Sequence, residues 1–216
     1  MFNGVKPELI IFDFWGTLAF FSKTDLKELY LSLKDFGIGL KDEIEIKRFS
    51  FLFSQSMFLS ENWTGFSERL LKYFTENPTE ERIRSFADFL KEKIVFKLYD
   101  DVKEALELPF KKAILTDSAK FLVENSGLQK WGPIFTPKEA GVKKPHPKMF
   151  LTVLEKLKVG AKKVLMVGDD IERDMVPAQN VGMDTVLIDR DNKFPDYAGN
   201  KIKSLGELKN ILKEGL

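Results

Sequence analysis

Three apolar runs that each end on a polar residue constrain this chain more than any other feature. Glu8-Leu-Ile-Ile-Phe-Asp13 closes on a carboxylate, and Phe14-Trp15-Gly16-Thr17 then breaks the pattern. Lys112-Ala-Ile-Leu-Thr116-Asp117-Ser118 repeats the design ahead of a helix-like stretch from Ala119 to Asn125. Lys163-Val-Leu-Met-Val-Gly168-Asp169-Asp170 repeats it again before a helix-like stretch from about Arg173 to Asn180, and a further strand, Thr185 to Asp189, follows Gly182. Short continuous apolar runs bounded by turn residues suit strands buried on both faces. Strands alternating with helices imply a parallel sheet covered by helices on both sides. Ligands in such sheets bind outside the carboxyl ends of the strands. The polar strand ends are therefore expected to converge on one edge.

Between the first and second of these strands lies a long insert, roughly Ser22 to Lys97, with no strand-like alternation. Leu26, Leu29, Tyr30 and Leu33 fit one helix face, and Phe66, Leu70, Leu71 and Phe74 fit another. Gly37, Gly39, Gly65 and Asn77-Pro78 punctuate the insert, and Thr79-Glu-Glu-Arg opens a further helix that runs to about Val95. The uncharged, apolar stretch Phe49 to Leu59 reads as core of this insert. About four helices are too many for a simple crossover. The insert is expected to be a small all-helical domain, with Tyr99-Asp100-Asp101 returning the chain to the sheet.

Composition removes several classes of function. The chain has no cysteine and one histidine, His146, which excludes thiolate metal sites, cysteine nucleophiles and multi-histidine centres. Any metal here needs oxygen ligands, which points to magnesium, calcium or manganese. Lys plus Arg total 34 against 33 for Asp plus Glu, so the totals give no electrostatic case for a nucleic-acid partner. Met1 to Glu8 lacks the basic start and apolar run of a signal peptide, and no stretch is long enough to span a bilayer. A cytoplasmic protein with no membrane partner is expected.

Taken singly, each polar strand end is weak, because an Asp after a buried strand is more often a cap or turn residue than a catalyst. The ordered set carries the weight: Asp13 with Thr17, Thr116, Lys144 in Lys143-Lys144-Pro145-His146-Pro147, and Asp169 with Asp174. With this set the chain resembles the haloacid dehalogenase superfamily, which includes many aspartate-nucleophile phosphatases. Four stretches carry the likeness: Asp13 to Leu18, Ile114 to Asp117, Gly141 to Phe150 and Val167 to Asp174.

The resemblance implies an α/β fold with a Rossmann-like parallel-sheet core, residues 1–21 and 98–216, and a helical cap inserted at 22–97. It implies a magnesium-dependent phosphohydrolase acting on small phosphorylated metabolites. Asp13 is then the nucleophile that becomes an aspartyl-phosphate. Mg2+ is bound by Asp13, Asp169 and the backbone carbonyl of Trp15. Lys144 supplies a fixed positive charge, and Thr116 and Asp117 join it at the phosphate. Thr17 and Asp174 support the arrangement. The physics is coherent, since a carboxylate attacking a phosphate anion needs a cation to relieve the repulsion. Lys143 competes for the role of Lys144. His146, between two prolines, is expected to be structural, Asp170 and Glu172 to be solvated or to cap the following helix, with a place in the metal shell as the alternative for Asp170, and Gly182 to serve a helix end.

One position departs from the family pattern. Its phosphatases usually carry a second aspartate two residues after the nucleophile, which protonates the leaving oxygen. Here that position is Trp15, which does not exchange protons at ordinary pH. A phosphatase without that acid is expected to favour leaving groups of low pKa. The family's dehalogenases offer an alternative: they carry an aromatic residue at this position, although they work without a metal and lose the Gly168-Asp169 pattern. A non-catalytic phosphate-binding protein of the same fold is a third reading.

Overall fold

All four residues of β1 (Leu9–Phe12) are buried, which a strand achieves only when both faces of its sheet are covered. The structure, a computed structural model, describes residues 6–22 and 30–214. The remaining strands are β2 (Ala19–Phe21), β3 (Phe96–Leu98), β4 (Lys111–Leu115), β5 (Ile134–Phe135), β6 (Val164–Gly168), β7 (Asp184–Ile188) and β8 (Lys201–Ile202). Five of them join β1 in one sheet of order β5-β4-β1-β6-β7-β8, with every pairing parallel. The α/β class is as the apolar runs require.

Register explains why the polar ends meet. Phe12 pairs with Ile114 on one side and Val167 on the other. One residue beyond Phe12 stands Asp13, and two beyond its partners stand Thr116 and Asp169, on neighbouring strands. The Asp13 N–H donates to Val167 O at 2.9 Å and the Thr116 N–H to Phe135 O at 3.0 Å, so both turns start tied to the sheet. Alternate residues of the central strands, Leu9, Ile11, Ala113, Leu115 and Met166, share a core with Met149, Phe150 and Val153 of the helix Pro147–Leu157 and with Ala178.

The chain divides into two compact units, Met1–Phe20 with Leu98–Leu216, and Phe21–Lys97. The second unit is helical: Leu33–Phe36 is a 3-10 turn, and Glu43–Phe58, Trp63–Leu71 and Glu80–Lys93 are α-helices. Asp42, Asn62 and Thr79 cap the three α-helices by accepting N–H groups of the first turn, the role that short oxygen-bearing side chains perform at such ends. Its interior combines leucines such as Leu52, Leu70 and Leu90 with a cluster of phenylalanine rings. The Phe49 ring lies 5.8 Å from those of Phe53 and Phe74, and Phe53 meets Phe66 edge-on at 4.9 Å.

Several expectations are corrected here. The stretch Phe49 to Leu59 is not uniformly interior: Phe49 and Leu52 are buried, but Phe51 is 63% and Leu59 51% exposed. One helical turn takes 3.6 residues, so a continuous apolar run wraps the helix rather than lining one face. The helix from Thr79 stops at Lys93 instead of Val95, because the chain straightens into β3, which forms a two-stranded sheet with β2. The helix expected from Arg173 begins earlier, as a π-helical turn over Ile171–Met175 followed by α-helix at Val176–Asn180. Leu26 and Leu29, assigned above to a helix face, lie outside the described residues. Among the described residues no helix is long and apolar enough to cross a membrane.

Candidate active site

Asp13, Lys144 and Asp174 form a buried charge cluster at the carboxyl edge of the sheet. The Lys144 ammonium donates to Asp13 Oδ1 at 2.5 Å and to Asp174 Oδ1 at 2.6 Å, and its side chain is only 3% exposed. The Lys144 backbone N–H donates to Asp117 Oδ1 at 2.9 Å, which anchors the loop that carries the ammonium. Lys143 beside it is half-buried.

Two glycines let the carboxylates approach. A Cβ built on Gly168 would run into the Asp174 carboxylate, and one on Gly16 would overlap that of Asp169. Gly16 also has φ +77°, a left-handed conformation that a side chain resists. Asp174 is aimed inward by the π-helical turn, a feature often found at functional sites. Asp170 holds that turn by accepting the N–H groups of Glu172 and Arg173, each at 2.9 Å. It thus caps the following helix, as its position suggested.

The electrostatics follow from burial. Burial by itself would lower the Lys144 pKa, but Asp13 and Asp174 outweigh it and hold the ammonium well above the usual lysine range. Burial pushes the Asp174 carboxyl up to about 7, against the pull of Lys144. Asp13 is raised by burial, with Asp169 adding to the effect and Lys144 opposing it. Asp169 is raised by burial and by Asp174. Three acids around one ammonium leave an excess of negative charge. Asp13, Asp169 and Asp174 each offer a carboxylate oxygen, all within 4.8 Å of one another. An all-oxygen, net-anionic set of this kind fits a hard divalent cation, which would offset the burial and the mutual repulsion that raise these pKa values.

A cavity of about 210 Å3 opens over the cluster, lined by Asp13, Trp15, Thr116, Asp117, Lys144, Asp169, Asp170, Arg173 and Asp174. It brings together the residues singled out from the sequence, with one exception. Thr17 is fully buried away from the lining, and its hydroxyl has no hydrogen-bond partner among the described residues. Any bracing of the turn after Asp13 runs through the backbone, where Thr17 O accepts from Arg190 at 2.8 Å.

The Thr116 hydroxyl accepts the Ser118 N–H at 3.1 Å, which leaves its own proton to donate outward. Asp117 lines the cavity as well, and its carboxylate holds the Lys144 N–H and the Arg173 guanidinium, so that acceptor-only group organises the rim. The Trp15 ring meets Phe14 edge-on at 4.9 Å. His146 is exposed, and its Nδ1 accepts the Lys148 N–H as the N-cap of the helix at Pro147, which is a structural role.

Two arginines were missed. Arg173 lies inside a stretch quoted for the resemblance, yet nothing in the spacing distinguishes it from a solvated charge. Arg190 follows β7 without any motif, and its partners Asp101, Gly16 and Thr17 are distant in sequence.

A family model described as haloacid dehalogenase-like hydrolase matches residues 7–182 of the chain. The glyceraldehyde 3-phosphate phosphatase of Pyrococcus furiosus is 38% identical over 78 residues, covering 33% of this chain and 32% of that protein. The ribulose-1,5-bisphosphate 5-phosphatase of Halopiger xanaduensis is 29% identical over 135 residues, covering 53% and 56%. The chain thus spans a third to a little over half of the length of these curated relatives. Among solved structures, a HAD phosphatase from Thermococcus onnurineus superposes with a TM-score of 0.67 at 25% identity, covering 95% of this chain and 97% of that one. A 2-haloacid dehalogenase from Pseudomonas syringae reaches 0.72 at 21% identity, over 97% and 100%, a likeness of fold.

Proposed function

The chain belongs to the haloacid dehalogenase-like hydrolase family, and on that footing we propose that it is a magnesium-dependent phosphohydrolase with Asp13 as nucleophile. One observation carries the reading: three convergent carboxylates share a cavity with a buried ammonium and a hydroxyl poised to donate. Retention of Asp169 and Asp174 favours a cation, and hence an anionic substrate, over metal-free dehalogenation. The relatives named as phosphatases of small phosphorylated compounds support the same substrate class.

In this reading Asp13, Asp169 and the Trp15 backbone carbonyl would hold the Mg2+, with Asp174 in support. When bound, the ion supplies positive charge that screens the phosphoryl oxygens from the nucleophile. Lys144 fixes Asp13 through Oδ1, so Oδ2 is the attacking atom. The Thr116 hydroxyl donates to one phosphoryl oxygen as charge spreads over them. Oδ2 forms a bond to phosphorus while the ester oxygen departs with its electron pair. Water then attacks phosphorus, the acyl phosphate bond breaks, and Asp13 and phosphate are regenerated.

Trp15 cannot protonate the departing oxygen, so leaving groups stable as anions, aryl or acyl phosphates, are the preferred substrates. The helical unit at 22–97 acts as a cap that governs access and selectivity. Purified protein with Mg2+ is assayed against an aryl, an acyl and an alkyl phosphate and a 2-haloacid, with EDTA and Asp13→Asn as controls. Phosphate release from the first two, abolished by both controls, is the expected result. Trp15 also favours one rival, since an aromatic group there suits halide departure. Halide release insensitive to EDTA would establish that rival instead.

A further inference from the structure

The loop after β7 sends one arginine back to the nucleophile turn. Arg190 donates through both terminal nitrogens to Asp101, at 2.7 and 3.0 Å, in a two-pronged pair. One of the same nitrogens donates to Thr17 O at 2.8 Å, and Nε to Gly16 O at a longer 3.4 Å. The guanidinium carbon lies over the Tyr99 ring, 3.7 Å from its centroid. Asp101 is itself held by the Leu205 N–H at 3.0 Å. Both members of the pair are mostly buried, at 15% and 14% side-chain exposure. A planar fork with several donors can satisfy a carboxylate and two carbonyls together, which a lysine cannot.

The contact matters because of what Gly16 touches. Its Cα faces the Asp169 carboxylate so closely that a Cβ would overlap it. Asp13 lies three residues before this turn, and its side chain shares the acidic cluster with Asp169. The carbonyls that Arg190 holds therefore belong to the segment that sets the spacing between two of the three carboxylates. A surface ion pair would be worth little. This one is partly desolvated, shared with two backbone carbonyls, and set over an aromatic ring.

We propose that Arg190, anchored by Asp101, is a positioning residue: it holds the Gly16–Thr17 turn so that Asp13 and Asp169 stand at cation-binding separation. The inference rests on the metal-assisted reading of the site, but the position of the turn can be read without any activity.

Wild type, Arg190→Gln, Arg190→Lys and Asp101→Asn are compared in the full chain, after a cooperative melt confirms folding. Amide exchange over residues 14–19 is expected to quicken in Arg190→Gln while the core strands keep wild-type protection. Mn2+ binding, followed by the loss of free-ion spin resonance, should weaken about tenfold, the low end of what partners behind a metal ligand contribute. On an aryl phosphate kcat should fall with KM little changed, and Arg190→Lys should recover part of each loss. Should Arg190→Gln fail to fold, Asp101→Asn must show the same pattern in milder form, since it keeps the arginine and removes its anchor. Wild-type exchange over 14–19 in every folded variant would overturn the proposal, as would a loss spread evenly over the chain. A wild type that hydrolyses no phosphate ester, with the exchange effect intact, would sink the phosphohydrolase reading and leave the role of Arg190 standing.

Discussion

Replacing Lys144 by Met removes the ammonium hydrogen-bonded to both Asp13 and Asp174 and leaves a side chain of similar length. The lysine side chain is 3% exposed and that of Asp174 1%, so water does not take its place. Breaking a buried ion pair by deleting one partner costs about 3–5 kcal/mol. In a chain of this size each kcal/mol lowers the melting temperature by about 2–4 °C, so a drop of about 6–20 °C is expected at pH 8 in EDTA. The loss depends on pH. Burial already lifts the Asp174 carboxyl from an ordinary 3.8 to about 7 with the lysine present, and its removal lifts both acids further. A carboxyl raised in the folded state binds protons that the unfolded chain has released. Stability therefore falls as pH climbs from the unfolded value through the folded one, and is regained on acidification. At pH 5 the Asp174 carboxyl is protonated, and the deficit shrinks toward the cost of unmade hydrogen bonds, about 1–3 kcal/mol. Urea denaturation of wild type and variant at pH 5 and pH 8 measures the difference. Equal losses at the two pH values would refute the reasoning, since a packing role has no reason to titrate.

Two further outcomes follow from the site. Gly16→Ala places a methyl group against the Asp169 carboxylate in a backbone conformation that alanine resists; calorimetry should find Mg2+ affinity lost while the melting temperature falls by only a few degrees, and unchanged affinity would show that the turn yields. Trp15→Asp supplies a proton donor two residues after Asp13 and should raise kcat on alkyl phosphates by about 10²–10⁴-fold, with a much smaller gain on aryl phosphates; equal gains on both classes would mean that leaving-group protonation is not what Trp15 withholds.

Much of the core could be read from the chain before any coordinates, because buried parallel strands need apolar residues at every position. Leu9–Phe12 and Val164–Gly168 are legible for that reason, and their polar ends announce the functional edge. The aromatic-rich insert is equally legible as helical, since it lacks strand-like alternation and Thr79-Glu-Glu-Arg is a local helix-start signal. The two-stranded sheet of Ala19–Phe21 and Phe96–Leu98 is not, because three-residue strands carry no period to detect.

Sequence by itself determined which residue types stand at the strand ends, that no thiolate or histidine cluster exists, and that position 15 holds an indole instead of a carboxyl. Tertiary structure alone decided how those groups are used. Two adjacent lysines look alike in the chain, and only packing buries Lys144 between two carboxylates. Nothing in the chain shows that the Asp117 carboxylate pairs with Arg173, 56 residues away. Thr17 reads in the chain as a supporting residue, and the fold shows that its backbone carbonyl is what accepts from Arg190. Local patterns encode what short-range sterics and burial demand. Pairings across 89 or 173 residues, such as those of Arg190 with Asp101 and Thr17, depend on strand register and on which side chains are cut off from water, and both are properties of the folded chain.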